Sequence, residues 1–255
     1  MKTLNNISAI VTGGASGMGK ATAEHLAKQG AKLALLDMNY NAAKETADTL
    51  KGIAIECDVS SADSAESAIE AVNKAHGPAR ILVNCAGIAP GKRIVGRKGV
   101  MPLEDFSKVI NINLMGSFNM LRLAAAAMSE LDPLDDAGER GVIINTASIA
   151  AYEGQVGQAA YSASKGGIVG MTLACARDLS KLGIRVMTIA PGIMKTPMME
   201  AMPEKVQQSL AEQMPFPKRL GGADEFASLA LHIIENQYLN GETIRLDAAI
   251  RMQPK

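Results

Sequence analysis

Short segments rich in β-branched and apolar residues alternate along this chain with longer amphipathic segments. This periodicity predicts strands over residues 7–12, 32–37, 52–57, 80–84, 141–147, 185–190 and 243–246. It predicts helices over residues 18–29, 41–50, 61–75, 106–131, 159–181 and 223–235. Gly30 and Gly183 follow two of these helices, where a left-handed cap is expected. Because parallel strands need long crossover connections, the alternation predicts an α/β fold in which helices cover both faces of a parallel sheet.

No linker and no internal repeat divides the chain, so we predict a single domain over residues 1–255. Two stretches interrupt the alternation. Residues 91–102 form a basic loop, and residues 195–217 form a loop rich in methionine and proline that we interpret as a substrate lid. The basic loop contains Lys92, Arg93, Arg97 and Lys98, and the lid contains Met198, Met199, Met202 and Met214. In such folds, ligands bind beyond the carboxyl ends of the strands.

Composition and charge argue against several classes of partner. The formal net charge is zero, so we expect no global attraction to nucleic acid or to an anionic membrane. The longest apolar run, near residues 121–128, is too short to span a bilayer. Residues 1–7 lack the basic and apolar regions of a signal peptide, and we therefore expect a cytoplasmic protein.

The cysteines and histidines give no sign of a disulfide or a metal site. Cys57, Cys85 and Cys175 are odd in number and lie among apolar neighbours, which is typical of reduced thiols. The three histidines share no ligand spacing with each other or with the cysteines. We therefore expect no metal bound by this chain.

The sequence T-G-G-A-S-G-M-G at residues 12–19 connects the first predicted strand to the first predicted helix. Gly13, Gly17 and Gly19 permit a sharp turn and the close approach of a pyrophosphate. The helix N-terminus would face that group with free N–H groups and the positive end of its dipole. Any tight strand-to-helix turn needs glycine, so the glycine pattern alone is weak evidence for a dinucleotide site. Its position, with Asp37 ending the second strand 18 residues after Gly19, predicts a dinucleotide site.

Asp37 also favours one nicotinamide cofactor over the other. A carboxylate there can accept hydrogen bonds from the adenosine ribose hydroxyls. It would repel a 2′-phosphate by roughly 4 kcal/mol for charges about 4 Å apart at an effective dielectric of about 20. NADP binding favours a nearby basic residue, whereas Ser16, Met38 and Asn39 occupy the neighbouring positions. We therefore predict NAD, and the alternative is that Asp37 only caps the second helix.

Two further strand ends carry small or polar residues. Asp58 and Val59 follow the third predicted strand, where they are placed to meet the adenine ring. The sequence N-C-A-G at residues 84–87 ends the fourth strand with small residues that let the backbone approach the cofactor. Either segment alone is also compatible with an ordinary turn.

Tyr161 and Lys165 are four residues apart in a predicted helix, so their side chains lie on one face. A tyrosine pKa near 10 is too high for proton exchange at neutral pH, and a cation one turn away favours the phenolate. Ser148 follows the strand 141–147, where its hydroxyl can hydrogen-bond a substrate oxygen. The tyrosine–lysine pair alone is typical of a solvated helix surface, and Ser148 alone is typical of a turn. Their joint presence predicts a proton-transfer site.

Seven ordered motifs resemble those of the short-chain dehydrogenase/reductase family along nearly the whole chain. They are T-G-G-A-S-G-M-G (12–19), D-V (58–59), N-C-A-G (84–87), N-L-M-G (113–116), Ser148, Y-S-A-S-K (161–165) and P-G-I-M-K-T (191–196). The resemblance implies a Rossmann-type, doubly wound, seven-stranded parallel sheet with the strand order 3-2-1-4-5-6-7. It also implies assembly as a homotetramer.

The same resemblance implies a catalytic tetrad of Asn113, Ser148, Tyr161 and Lys165. Tyr161 would be the general acid/base and would bind the substrate oxygen together with Ser148. Lys165 would lower the tyrosine pKa and hold the nicotinamide ribose, and Asn113 would support a water relay to Lys165. The residues expected to bind NAD are Gly13, Ser16, Gly17, Met18, Gly19, Asp37, Asp58, Val59, Cys85, Ala86, Gly87, Tyr161, Lys165, Met194 and Thr196.

Longer segments are similar to one subfamily, the type 2 3-hydroxyacyl-CoA dehydrogenases, also called 17β-hydroxysteroid dehydrogenase type 10. These segments are residues 140–148, 153–172, 183–192 and 241–252. The similarity implies NAD-dependent oxidation of a 3-hydroxyacyl-CoA to a 3-ketoacyl-CoA. The methionine-rich lid suits acyl chains of varied length. The four cations of the basic loop are candidates for contacting the phosphates of CoA, and the alternative is a solvated loop.

Three other functions stay open at this point. The same lid would accept the ring system of a hydroxysteroid or another secondary alcohol. A 3-oxoacyl carrier-protein reductase is disfavoured by Asp37, because those enzymes usually use NADP. An NAD-binding scaffold is a non-enzymatic alternative, although none of the four tetrad positions has been lost.

Overall fold

The computed structural model describes residues 1, 3–97, 99–195, 199 and 204–254. Its parallel strands are β1 (Ser8–Thr12), β2 (Lys32–Asp37), β3 (Ile53–Glu56), β4 (Ile81–Asn84), β7 (Gly141–Thr146), β8 (Ile184–Pro191) and β9 (Thr243–Leu246). They form one sheet in the order β3-β2-β1-β4-β7-β8-β9. These are the seven predicted strands taken in chain order, so the predicted order 3-2-1-4-5-6-7 is confirmed.

Helices cover both faces of this sheet. They are α1 (Gly17–Lys28), α2 (Tyr40–Leu50), α3 (Ala62–His76), α4 (Leu103–Ile110), α5 (Gly116–Ser129), α6 (Ala159–Leu179), α7 (Glu204–Glu212) and α8 (Ala223–Glu235). Gly30 and Gly183 have positive φ angles of 85° and 68°, which confirms the two predicted caps. Among the described residues, no helix combines the length and the apolarity needed to cross a bilayer.

The predicted helix over 106–131 was wrong in one respect. It consists of α4 and α5 joined by a π-helical turn at Asn111–Met115. The π turn contains Asn113, whose side chain is hydrogen-bonded to the loop after β4. Apolar periodicity cannot reveal one extra residue in a turn, because the flanking helices keep their own register.

The two predicted loops also contain secondary structure. The basic loop holds a short antiparallel hairpin, β5 (Val95–Gly96) with β6 (Gly99–Val100), and the lid region includes α7. Strands of two residues are too short to show an alternating pattern. The sequence of α7, EKVQQSLAE, is short and mostly polar and lies between Pro203 and Pro215, a pattern that favours a loop.

One apolar core lies on each face of the sheet. Along β1, Ala9 and Val11 belong to the core beneath α1 and α8, whereas Ile10 belongs to the core beneath α3 and α5. Phe226 of α8 is fully buried in the first core. Because both faces are covered, the strands are almost continuously apolar, which explains why they were recognisable in the sequence.

A buried ion pair lies at the amino ends of the parallel strands, on the side opposite the groove, and contacts the end of α8. The Arg185 Nε and Nη2 atoms donate to Glu139 Oε1 at 3.0 and 2.9 Å, and the two side chains are only 8% and 4% exposed. Arg185 also donates to the carbonyls of Ile233, Ile234 and Leu239 at 2.8–3.0 Å. One guanidinium therefore satisfies a buried carboxylate and three backbone acceptors.

We expect Arg185→Met to lower the free energy of unfolding by about 3 kcal/mol, because Glu139 Oε1 and the carbonyls of Ile233 and Leu239 lose their donor, while Glu139 Oε2 keeps the Met1 ammonium. Arg122→Met is the matched control, since Arg122 pairs with Glu66 at an exposed position and should cost at most about 1 kcal/mol. Urea unfolding of both variants measures the difference. Equal losses would contradict the role assigned to Arg185.

Candidate active site and cofactor groove

A groove of about 1670 Å³ runs along the carboxyl ends of the parallel strands. It is reached by the ends of β1, β2, β4, β7 and β8, as expected for a doubly wound sheet. The predicted cofactor residues that line it are Gly13, Ser16, Gly17, Met18, Gly19, Asp37, Asp58, Val59, Cys85, Ala86, Gly87, Tyr161, Lys165 and Met194. Thr196 was predicted with them and lies outside the described residues.

The glycine-rich turn needs glycine for two separate reasons. Gly13 and Gly17 have positive φ angles of 65° and 53°, which side chains disfavour. Gly19 is required by space, because a Cβ there would overlap the carbonyl oxygen of Gly13. The first turn of α1 lines the groove, so its backbone N–H groups that have no partner within the helix are available to a phosphate.

Asp37 is held by the glycine-rich turn rather than by the second helix. Its Oδ2 accepts from Ala15 N at 3.1 Å, and its Oδ1 accepts from Asn39 N at 2.9 Å. The cap of α2 is Asn39, whose Oδ1 accepts from Ala42 N at 3.2 Å. The alternative that Asp37 only caps the second helix is therefore wrong, and its carboxylate is fixed at the groove wall.

Asp58 and Val59 lie at the neighbouring part of the groove. Asp58 Oδ1 accepts from the backbone N and the Oγ of Ser60, at 2.9 and 2.6 Å. Val59 packs against the helix that begins at Gly116, where a Cβ would come within 2.6 Å of Val59 Cγ2. The Asp58 side chain is thus engaged locally, and the groove wall at this point is shaped by close packing.

Thr12 is a residue that the sequence reasoning missed. Its Oγ1 accepts from Cys85 N and Ala86 N, each at 3.1 Å, and so ties the turn after β4 to the end of β1. A Cβ on Gly13 would come within 2.8 Å of Ala86 N. Thr12 is the first residue of the glycine-rich motif, and this position was the signal that the sequence offered. Its hydroxyl binds backbone N–H groups of the chain and not the ligand.

Three of the four predicted catalytic residues line the same groove. Tyr161 and Lys165 project from α6, and Ser148 follows β7. Lys165 Nζ donates to the Thr146 carbonyl at 2.6 Å and lies 5.8 Å from the centroid of the Tyr161 ring. Ser148 is hydrogen-bonded to Tyr161 through its side chain, and its Oγ also accepts from Ala150 N at 3.1 Å.

Burial dominates the proton affinities of these groups. It raises the pKa of Tyr161 above its ordinary value, while the hydrogen bond with Ser148 acts in the opposite direction. Burial lowers the pKa of Lys165 to about 8, with the Cys85 thiol acting in the opposite direction. Lys165 is not among the causes of the Tyr161 pKa shift, and its ammonium donates to the Thr146 carbonyl, so the lowering of the tyrosine pKa by Lys165 stays a prediction.

Asn113 is fully buried and lies behind the groove wall, not on it. Its Oδ1 accepts from Ile88 N at 2.8 Å, and its Nδ2 donates to Ile88 O at 2.9 Å and to Ser164 Oγ at 3.1 Å. Ser164 Oγ in turn donates to the Tyr161 carbonyl at 2.7 Å. Asn113 therefore connects the loop after β4 to α6, and Ser164, within Y-S-A-S-K, is a second residue that the sequence reasoning missed.

Two of the four cations of the basic loop line cavities, and the hypothesis that all four contact the phosphates of CoA stays a prediction. Lys92 lines the groove but is ion-paired with Asp105 at the start of α4. Arg93 lines a second cavity of about 520 Å³, beside residues 154–157. Lys98 lies outside the described residues, as do Met198 and Met202 of the lid. Met214, at the far end of the lid, is 2% exposed.

All three cysteines are free thiols, and Cys85 lines the groove. Burial raises the pKa of Cys85 to about 12, so it is neutral at physiological pH. Within the described part of the chain, no group of three or more histidine, cysteine, aspartate or glutamate side chains is arranged to hold a metal ion.

Residues 8–207 match the family model described as short chain dehydrogenase. The chain belongs to this family. The family implies a nicotinamide cofactor, which agrees with a groove that joins a glycine-rich turn to a buried tyrosine and lysine.

Characterised relatives are similar to this chain over its whole length. The 3-hydroxyacyl-CoA dehydrogenase type-2 of Bos taurus is 53% identical, with 99% of this chain and 98% of the relative covered. The protein of the same name from Homo sapiens is 52% identical over the same shares. A crystal structure of 3-hydroxyacyl-CoA dehydrogenase type-2 from Mycobacterium avium superposes with a TM-score of 0.93, at 46% identity and 98% coverage of both chains.

We expect Gly19→Ala to weaken NAD binding by about tenfold or more, because the new Cβ forces the phosphate-binding turn open. Gly170→Ala is the control, since Gly170 lies inside α6 with open space around its Cβ position. Titration calorimetry with NAD compares the two. Equal affinities in both variants would show that the turn does not hold the dinucleotide.

Proposed function

We propose that this chain is an NAD-dependent 3-hydroxyacyl-CoA dehydrogenase, which oxidises the 3-hydroxyl of an acyl-CoA to a ketone. The observation that carries this proposal is the convergence of Ser148, Tyr161 and Lys165 in one groove with a glycine-rich phosphate-binding turn. Full-length relatives that are more than half identical to the chain bear this name, which supports the substrate class.

Asp37 supports NAD as the cofactor. Its carboxylate is held in the groove by the N–H groups of Ala15 and Asn39, which keeps a negative charge where the adenosine ribose would lie. A ribose with free hydroxyls can donate hydrogen bonds to this carboxylate. A 2′-phosphate would meet its charge at close range.

The reaction divides a hydride and a proton between two acceptors. Bound NAD supplies the hydride acceptor for the hydrogen on C3 of the substrate. Tyr161 Oη takes the hydroxyl proton, so the alcohol loses two electrons and two hydrogens as the ketone forms. Ser148 Oγ would donate a hydrogen bond to the substrate oxygen. Lys165, which donates one Nζ proton to Thr146 O, would hold the nicotinamide ribose with the other two.

The protonation state of Tyr161 makes the rates of oxidation and reduction depend on pH in opposite ways. Oxidation needs Tyr161 as a phenolate, and burial raises its pKa, so the oxidation rate rises as the pH rises through that pKa. Reduction of the ketone needs the phenol and therefore declines over the same range. The positive charge of an oxidised nicotinamide favours the phenolate, so the pKa of Tyr161 in the complex lies below that of the free chain.

The groove also suits a thioester with an apolar chain and a charged head. Met101, Leu103 and Met194 provide apolar lining, and Lys92 lies at the same groove, where a phosphate would compete with Asp105 for its ammonium. A hydroxysteroid would use the apolar lining alone. We also propose a homotetramer, supported by the exposed apolar side chains of Met115, Phe118 and Leu173 on and beside α5 and α6.

We expect Tyr161→Phe to reduce turnover of 3-hydroxyacyl-CoA by about a thousandfold or more while the Kd for NAD stays within about twofold. Initial rates with NAD against a panel of 3-hydroxyacyl-CoAs and a hydroxysteroid, with calorimetry for NAD, provide the measurement. Preference of the wild type for the hydroxysteroid would contradict the thioester substrate. Absence of turnover on every alcohol would favour an NAD-binding scaffold.

We expect Asp37→Ser to lower the preference for NAD over NADP by about a hundredfold, because it removes the repulsion of the 2′-phosphate. Asp58→Asn is the control, since Asp58 also lines the groove but its carboxylate accepts from Ser60. The ratio of kcat/KM values for the two cofactors is measured for each variant. A preference that Asp37→Ser leaves unchanged would exclude Asp37 as the selecting residue.

A further inference from the structure

The C-terminal segment, residues 247–254, begins with a strained turn. Ala248 and Ala249 have φ angles of 49° and 61°, in the left-handed region that disfavours alanine. Strain of this kind persists only where surrounding contacts hold it. The contacts here are a hydrogen bond from Ala249 N to Asp247 Oδ1 at 3.1 Å and the burial of Ile250, which is 1% exposed.

Glu153 is the charged side chain that attaches this segment to the active-site loop, beside hydrogen bonds from Gln155 Nε2 to Gln253 O at 2.8 Å and from Val156 N to Pro254 O at 3.1 Å. Its Oε1 accepts from Arg245 Nη1 at 2.8 Å and lies 3.4 Å from Arg251 Nε. Its Oε2 accepts from Met252 N at 2.9 Å. The side chain is 18% exposed, so two cations and one backbone N–H converge on a carboxylate that is mostly shielded from water.

Glu153 is also part of the turn that begins at Ser148. Ala151 N donates to Ser148 O at 3.0 Å, and Glu153 N donates to Ile149 O at 3.0 Å. Ser148 Oγ accepts from Ala150 N within the same turn. Residues 148–153 therefore form one hydrogen-bonded unit, with the catalytic hydroxyl at its start and the anchored carboxylate at its end.

An apolar cluster joins the same turn to the lid. Ile149, Met214 and Ile250 are each at most 2% exposed and pack together. Ile193, which lies just before the lid, packs against this cluster. One small core thus contains Ile149, which follows Ser148, together with Met214 of the lid and Ile250 of the C-terminal segment.

We propose that Glu153 is a positioning residue that sets the location of Ser148 by anchoring the turn 148–153 to the C-terminal segment. The inference rests on the proposed function for the identity of the reaction, but not for the anchoring itself. Glu153 does not line the groove, so it acts through Ser148 and not on the substrate.

The test uses three variants of the full chain with NAD bound. Glu153→Gln keeps the shape of the side chain but removes the charge that ties Arg245 and Arg251 to residues 148–153, while both arginines keep their pairs with Asp247. Deletion of residues 252–255 leaves Ile250 in place and removes the Met252 N–H donor, together with the Gln253 and Pro254 carbonyls that accept from Gln155 Nε2 and Val156 N. Glu66→Gln is the matched control, because it breaks a Glu–Arg pair between α3 and α5 that does not line the groove.

The first measurement is hydrogen–deuterium exchange of the peptide covering residues 149–157, which needs no substrate. We expect about tenfold faster exchange in Glu153→Gln and in the deletion variant, and none of this change in Glu66→Gln. The deletion also frees Val156 N from its own acceptor, Pro254 O, so the result for Glu153→Gln decides. The second measurement is kinetic. We expect kcat to fall about tenfold in both variants, with the Kd for NAD unchanged, because only the orientation of Ser148 is affected.

A double-mutant cycle with Ser148→Ala separates positioning from general stability. If Glu153 acts through Ser148, Glu153→Gln should cost little further activity once the hydroxyl is gone. The same fold-loss in both backgrounds, or unchanged exchange over residues 149–157, would overturn the proposal. If the wild type oxidises a different secondary alcohol, the cycle is run on that substrate. If it oxidises none, the proposed function fails and the exchange result alone decides whether Glu153 anchors the turn.

Discussion

A row of buried polar side chains crosses the three central strands immediately before the groove. Thr12, Asn84 and Asn145 are register partners on β1, β4 and β7. Asn84 Nδ2 donates to Asn145 Oδ1 at 2.9 Å, and Thr12 Oγ1 donates to Asn84 Oδ1 at 3.5 Å. A shift of one residue in the pairing of these strands would turn the polar side chains into an apolar core. The row therefore fixes the register that aligns the carboxyl ends of β1, β4 and β7.

The chemistry of the groove follows from this alignment, because it brings side chains that are far apart in sequence to one buried edge. Ser148 arrives on the turn after β7, and Tyr161 and Lys165 arrive on α6. Burial then makes the proton affinities of the tyrosine and the lysine depart from their ordinary values in opposite directions. Both groups thereby become sensitive to the charge of whatever enters the groove, which is what proton transfer coupled to hydride transfer requires.

The sequence was most informative where local physics and tertiary environment agree. Strand β2 was predicted at its observed bounds, because a buried parallel strand is apolar on both faces. The order of those strands came from resemblance to a family, since periodicity carries no information about which strands are neighbours. The hairpin at residues 95–100 and helix α7 were missed because short or polar elements depend on their surroundings.

The sequence by itself determined the α/β alternation, the glycine-rich turn, and the residue types available for proton transfer, because these depend on local sterics and on chemical groups. Only the tertiary structure decided that Asp37 is held by the glycine-rich turn while Asn39 caps α2, since both are plausible caps in sequence. It also decided that Lys165 is turned to Thr146, and that Glu153 meets Arg245 and Arg251. These outcomes depend on burial and on contacts between residues distant in the chain, which no local pattern contains.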